Sequence, residues 1–105
     1  MYLNGYYSSM YSIQQTHTFS QWLTNLKDMR TRITIVRRLE RAESGNLGDI
    51  KSVGGSVYEM RINRGPGYRL YYTMRKNELI ILLVGGDKST QRSDIEKAKE
   101  MAKEI

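Results

Sequence analysis

The chain has 105 residues, with 17 Lys and Arg against 11 Asp and Glu, one histidine and no cysteine, and its net charge of +6 suits a polyanionic partner, nucleic acid or an acidic protein. That length holds one domain with one modest core, burying roughly 65% of the unfolded surface, and the lack of cysteine excludes a disulfide framework or a thiolate metal site, which fits a reducing, cytoplasmic setting. The longest apolar run, Leu79 to Val84, falls far short of the roughly 20 residues a membrane helix needs, and the N-terminus lacks the basic and apolar regions of a signal peptide, so no membrane partner is expected.

Residues 1–10 carry no charged side chain and no period, and read as a disordered lead-in, with Met10 a second candidate for the start of the chain. Tyr11 to Thr16 reads as a strand, with Tyr11 and Ile13 on one face and Ser12 and Gln14 on the other. Phe19, Trp22, Leu23 and Leu26 stand at i, i+3, i+4 and i+7, which predicts a helix capped by Thr16 or Thr18. Asp28 caps a second helix, from about Met29 to Ser44. Its candidate core is Ile35, Val36, Leu39 and Ala42, its outer face Arg30, Arg37, Arg38 and Arg41, and Gly45-Asn46 stops it. So short a join predicts an antiparallel helical hairpin.

From Leu47 the period changes. Along Ser56 to Asn63, Tyr58, Met60 and Ile62 share one face, and Glu59, Arg61 and Asn63 the other. Asn63-Arg64-Gly65-Pro66-Gly67 is a turn by its chemistry. Tyr68 to Arg75 follows as a strand, with Tyr68, Leu70, Tyr72 and Met74 inward and Arg69, Tyr71, Thr73 and Arg75 on the opposite face. Lys76-Asn77 makes a hairpin turn, and Leu79 to Val84, apolar throughout, predicts a central strand covered on both sides. Gly85 to Lys88 is expected to break the sheet. A last helix starts near Ser89 to Ser93, with Ser93 to Glu96 as a capping box and Ile95, Ala98, Met101, Ala102 and Ile105 as its packing stripe. The class is α+β over residues 11–105: an N-terminal strand and helical hairpin, then an antiparallel sheet of three meandering strands and a C-terminal helix, with the helices on one face.

A single histidine, His17, leaves most catalytic sets incomplete, and no metal site or cofactor is expected, because metal-ligand spacings, GxGxxG and a P-loop are all missing. What remains is a basic sheet. Arg61, Arg69 and Arg75 should project from one face with Tyr71 among them; arginine grips phosphate and tyrosine stacks on bases. The same pattern also describes a solvated polar face with Arg69 paired to Glu59, worth about 0–1 kcal/mol.

The run Glu59-Met-Arg61-Ile-Asn-Arg64-Gly-Pro-Gly-Tyr68-Arg69-Leu-Tyr-Tyr resembles the central hairpin of RelE/ParE toxins. The continuation Leu82-Leu-Val-Gly-Gly-Asp87-Lys88-Ser-Thr-Gln91, with Asp94, Ile95 and Ala98, is similar to the branch of phage-derived addiction-module killer proteins close to HigB. Phe19, Trp22, Leu23 and Leu26, and the segment Gly48-Asp49-Ile50-Lys51, fit that branch as well. The resemblance covers about residues 11 to 105. It implies a RelE-like fold and a type II toxin held in check by a cognate antitoxin, a small helix-turn-helix protein through which the pair would reach operator DNA. In RelE and HigB the toxin enters the ribosomal A site and cuts mRNA without a metal, so ribosome and mRNA are the implied partners and endoribonuclease the implied activity.

Carried over by position, Arg64 is cast as transition-state stabiliser, Lys51 as a phosphate or proton-transfer residue and Lys88 as a further catalytic cation. Arg61, Arg69, Tyr71, Arg75 and Gln91 are the candidate RNA contacts. RNA-cutting relatives commonly place a Tyr or His in the C-terminal segment, whereas residues 73–105 here contain no Tyr, His, Phe or Trp. Tyr71, or Lys51 with a lowered pKa, would have to substitute. Without a substitute the chain fits a gyrase inhibitor of ParE type, or a module that only binds antitoxin.

Overall fold

A strand apolar at every position gathers neighbours on both edges and cover on both faces, and the chain is arranged around one. The computed structural model describes residues 10–105, so the expected lead-in lies, except for Met10, outside the described residues. The elements are β1 (Ser12–Gln15), α1 (His17–Asn25), α2 (Met29–Glu43), β2 (Ile50–Gly54), β3 (Val57–Ile62), β4 (Tyr68–Arg75), β5 (Leu79–Asp87), a 3-10 turn (Lys88–Thr90) and α3 (Gln91–Lys103). The strands form one sheet in the order β1-β5-β4-β3-β2. β5 lies between β1, which runs parallel to it, and β4, which runs antiparallel.

Local chemistry sets the boundaries. Thr16 Oγ1 caps α1 by accepting from the Phe19 amide at 3.1 Å, and donates to the Leu83 carbonyl at 2.8 Å, which ties α1 to β5. Asp28 caps α2, accepting from the Arg30 amide and the Thr31 hydroxyl. Gly45, at φ +101°, ends α2 in a conformation that glycine adopts without a Cβ penalty. Lys76 and Asn77, both at positive φ, make the β4–β5 hairpin.

Two cores form, one on each face of the sheet. α1 and α2 bring Phe19, Ile35, Leu39 and Ala42 against Met60, Ile62, Leu70, Tyr72, Ile80 and Leu82. On the other face α3 sets Ala98, with Ile95 and Met101, against Val57, Tyr71, Ile81, Leu83 and Val84. β5 carries a bulge opposite the Tyr71/Tyr72 step, so Leu83 and Val84 both enter the α3 core. Beyond it Gly85 meets the Trp22 indole, and Gly86 meets Asp94 and Thr90 on the opposite face.

The α+β class stands, and several details of it differ from expectation. The helices cover both faces, not one, because the Val57/Tyr71/Ile81/Leu83 face is as apolar as the other and needs its own helix. The sheet is mixed, since β1 is parallel to β5. A fourth antiparallel strand, β2, was not expected; it is a short edge strand, mostly exposed, without an apolar run to announce it. β5 runs on through Gly85 and Gly86 to Asp87, and the capping box belongs to Asp87 and Thr90 of the 3-10 turn, not to Ser93. On α2, Val36 is exposed and Arg38 is buried. The Arg38 guanidinium donates to the Arg61 carbonyl at 2.7 Å and to the Leu47 and Asp49 carbonyls at 3.2 Å each, and those bonds offset its burial. Gly48, at φ +69°, makes room for it, since a Cβ there would stand 2.6 Å from Arg38 Nε.

Candidate nucleic-acid interface

Alternation along β3 and β4 sends Glu59, Arg61, Arg69 and Tyr71 to the face that α3 covers. Antiparallel register sets Glu59 opposite Tyr71 and Arg61 opposite Arg69, and β2 adds Lys51 opposite Glu59. Gly86, the β5 partner of Arg69, lets Asp94 and Thr90 sit directly on the strand, while Arg61 on β3 stays about a third exposed.

Glu59 is the hub. Its carboxylate is fully buried. It lies 3.2 Å from Arg61 Nε and 3.5 Å from Arg69 Nε. It also accepts from the Tyr71 hydroxyl at 3.2 Å and from Gln91 Nε2 at 2.7 Å. Arg69 Nη1 donates to the Gly67 carbonyl at 2.9 Å, which directs the guanidinium along the β3–β4 turn. Lys88 lies on the same glycine: a Cβ at Gly67 would stand 3.2 Å from Arg69 Nη1 and 3.6 Å from Lys88 Cβ. The structure thus brings together Arg61, Arg69, Lys88 and Gln91, with Lys51 on the neighbouring edge strand.

The nearby acids are turned into caps. Asp87 accepts from the Ser89 amide and hydroxyl, and those bonds hold its carboxyl below the usual carboxylate range. Asp94 accepts from Thr90 Oγ1 at 2.6 Å. Two arginines on one buried carboxylate, with Lys88 beside Gly67 and Lys51 on the neighbouring edge strand, leave a surface suited to a phosphate backbone.

Three of the candidates lie elsewhere. Tyr71 is fully buried in the α3 core, so its ring does not reach the surface where a base could stack. Burial, with Glu59 beside it, pushes its phenol above the ordinary value and makes it a poor proton acceptor at neutral pH. Arg64, in the turn, extends toward the other face of the sheet, with Nε 3.4 Å from Thr31 Oγ1 on α2. Arg75 is exposed at the far end of β4, six residues or about 20 Å from Arg69. The polar face read from alternation is therefore closed at Glu59 and Tyr71, and open toward the Gly67–Lys88 end. Sequence reasoning gave Glu59 only a surface pair, although a lone acid opposite a tyrosine between arginines is the pattern such a hub leaves.

Residues 21–104 match the family model described as "Phage derived protein Gp49-like (DUF891)". A Haemophilus influenzae (strain Rd) protein, itself named only as uncharacterized, is 48% identical over 93 residues, 89% of this chain and 94% of its own length. Among solved structures, an arginine-to-alanine double mutant of the E. coli toxin RelE in the free state superimposes with a TM-score of 0.71 at 17% identity, covering 88% of this chain and 97% of that one. This likeness establishes the RelE-like fold.

Proposed function

Since the chain belongs to the phage-derived Gp49-like family and has the fold of RelE, we propose that it is the toxin of a cytoplasmic type II toxin–antitoxin module that cuts mRNA on the ribosome. The observation that carries this reading is the pair Arg61 and Arg69 on buried Glu59, with Lys88 beside Gly67 at the same end of the sheet and Lys51 on the neighbouring edge strand.

Cleavage needs little machinery. The 2′-oxygen of a nucleotide attacks the adjacent phosphorus, a phosphorane forms, and the bond to the 5′-oxygen breaks to give a 2′,3′-cyclic phosphate and a 5′-hydroxyl. Arg61 and Arg69, held by Glu59, supply donors to the phosphorane oxygens, and such preorganised donors are worth about 100- to 1000-fold each. Lys88 carries an ammonium that can give a proton to the leaving oxygen. The 2′-hydroxyl proton leaves to water, because among the described residues the cluster holds no accessible Tyr or His. Lys51 and Gln91 guide the strand along β2 and the start of α3. For Arg64 to act as stabiliser, its guanidinium must swing from Thr31 around the turn.

The missing proton-transfer side chain also favours a second reading, a non-enzymatic inhibitor of DNA gyrase that uses the same basic face for docking. Primer extension on an mRNA in a purified translation reaction separates the two, with Arg61→Ala and Arg64→Ala as controls. Cuts within ribosome-bound codons, lost by at least about 100-fold in Arg61→Ala, are expected. Loss in Arg64→Ala as well would assign it the swing. Intact mRNA with folded protein, and inhibited supercoiling, would replace the nuclease with the gyrase reading.

A further inference from the structure

Arg61 stands where β3 outruns its edge partner. β2 begins at Ile50, opposite Met60, and one bond carries the pairing a step further, the Arg61 amide donating to the Asp49 carbonyl at 2.9 Å. In a regular antiparallel pair the Arg61 carbonyl would take the returning bond from the edge strand. Here Arg38 Nη1 takes that place, at 2.7 Å, reaching the strand from α2, which packs on the sheet face opposite α3. Nη2 of the same guanidinium donates to the Leu47 and Asp49 carbonyls. The Asp49 carbonyl therefore accepts from both arginines. One buried fork fixes the Arg61 peptide together with the loop that leads into β2 and Lys51.

The Arg61 side chain needs such a support. It is 35% exposed and bonded to Glu59 at 3.2 Å, whereas Arg69 is 13% exposed and is also held by the Gly67 carbonyl. Arg69 is caged by its surroundings, and Arg61 depends more on the backbone that carries it. The neighbours of Arg38 on the inner face of α2 are Ile35, Leu39 and Ala42, so an apolar side chain would suit the same layer, and a buried guanidinium is a costly alternative to it. All three carbonyls that it satisfies lie in the two segments that carry Arg61 and Lys51. We propose that Arg38 is a positioning residue for the cation face: from the opposite side of the sheet its guanidinium holds the Arg61 backbone and the entry to β2, and so aims Arg61 and Lys51 at the RNA phosphates. The proposal rests on the nuclease reading for what Arg61 grips, but not for how Arg61 is held.

The test uses Arg38→Lys in the full-length chain, because lysine keeps the charge and offers a single nitrogen in place of the fork. Heteronuclear NMR of the side chains is the first readout. The Arg61 Nε–H signal should move toward that of a free arginine, while the Gln91 side-chain amide, bonded to the same carboxylate, stays where it is. Affinity for a single-stranded RNA oligonucleotide should fall by about three- to tenfold. Cleavage of mRNA on the ribosome should fall by about 100-fold. In an Arg61→Ala background the substitution should cause no further loss of either. Gly48→Ala crowds the guanidinium from an exposed loop and leaves Arg38 in place; it should give the same signature, and it serves as the test where Arg38→Lys does not fold. An unmoved Arg61 signal in the folded variant overturns the proposal. So do Arg61 and Gln91 signals that shift together, which make Arg38 a general prop of the core, and losses of affinity that add in the double variant. Wild-type protein that neither binds nor cuts RNA removes the nuclease reading instead, and the Arg61 signal then decides alone how that side chain is held.

Discussion

Gln91 Nε2 donates to Glu59 Oε2 at 2.7 Å, so the first residue of α3 is bonded to the middle of β3, 32 residues earlier in the chain. With Arg61, Arg69 and Tyr71 on the same carboxylate, one buried side chain holds together two strands and a helix that cover different stretches of sequence.

Removing that carboxylate should therefore cost more than a surface pair does. Glu59→Ala leaves Arg69 nearly buried and without its counter-ion, and breaking such a buried pair typically costs about 3–5 kcal/mol. Arg61 is about a third exposed and can turn to water, so the low end, about 3 kcal/mol, is expected from urea unfolding. A loss under 1 kcal/mol would mean that the hub contributes little to folding.

Lys88 and Arg75 provide a paired comparison. Lys88 lies beside Arg69, and Arg75 lies at the opposite end of β4. In titrations with a single-stranded RNA oligonucleotide at several salt concentrations, Lys88→Ala should reduce the slope of log K against log salt by about 0.7, one phosphate contact. Arg75→Ala should leave it unchanged, and the reverse pattern would move the RNA path to the far end of the sheet.

Gly86 should not tolerate a side chain. A Cβ there would stand 2.8 Å from Thr90 Oγ1 and closer still to the Asp94 carboxylate, both of which are fixed in a cap. Gly86→Ala is expected to lower stability by about 1–3 kcal/mol, measured by thermal unfolding. Its φ is not positive, so the cost reports how tightly Thr90 and Asp94 pack on the strand.

Stability should fall at both ends of the pH scale. Burial raises the phenols of Tyr71 and Tyr72, the latter to about 12. The folded state thus prefers both protonated, a contribution complete below the unfolded value near 10 and lost, for Tyr72, as pH rises through about 12. The caps act in the opposite sense: hydrogen bonds hold Asp28 and Asp87 below 3.8, so their contribution is present above that value and lost as pH falls through the folded values. A urea midpoint that drops below pH 4 and above pH 10, with two tyrosines slow to ionise by absorbance, is the expected result. If all eight tyrosines ionise together in folded protein, the alkaline half is wrong.

Much of this architecture was legible from period and punctuation. Asp28 and Gly45 bracket α2, Lys76-Asn77 turns β4 into β5, and an apolar run marks the central strand. Side-chain environment was harder to read. Arg38 and Glu59 look like surface residues by type, and only partners distant in sequence, the Leu47, Asp49 and Arg61 carbonyls for one and Gln91 for the other, make their burial tolerable. Which face α3 covers was hidden for a similar reason. Alternation marks two faces, and a second apolar row on β4 and β5 does not say which helix will cover it. Of the candidate site, Arg61, Arg69, Lys88 and Gln91 converge because turn and cap chemistry bring them to one end of the sheet, whereas Arg75 shares their strand face without sharing their location.

The position of β5 has a consequence for how the protein is made. Residues 12–15 have their strand partner at 79–82, and β4 also needs β5 as its second neighbour. A nascent chain that has not yet emerged past residue 87 lacks the centre of its own sheet, and its two cores have nothing to close on. Pairings of this sequence separation are made late and slowly. The polypeptide is therefore expected to stay without either core until β5 has been made and has emerged in full.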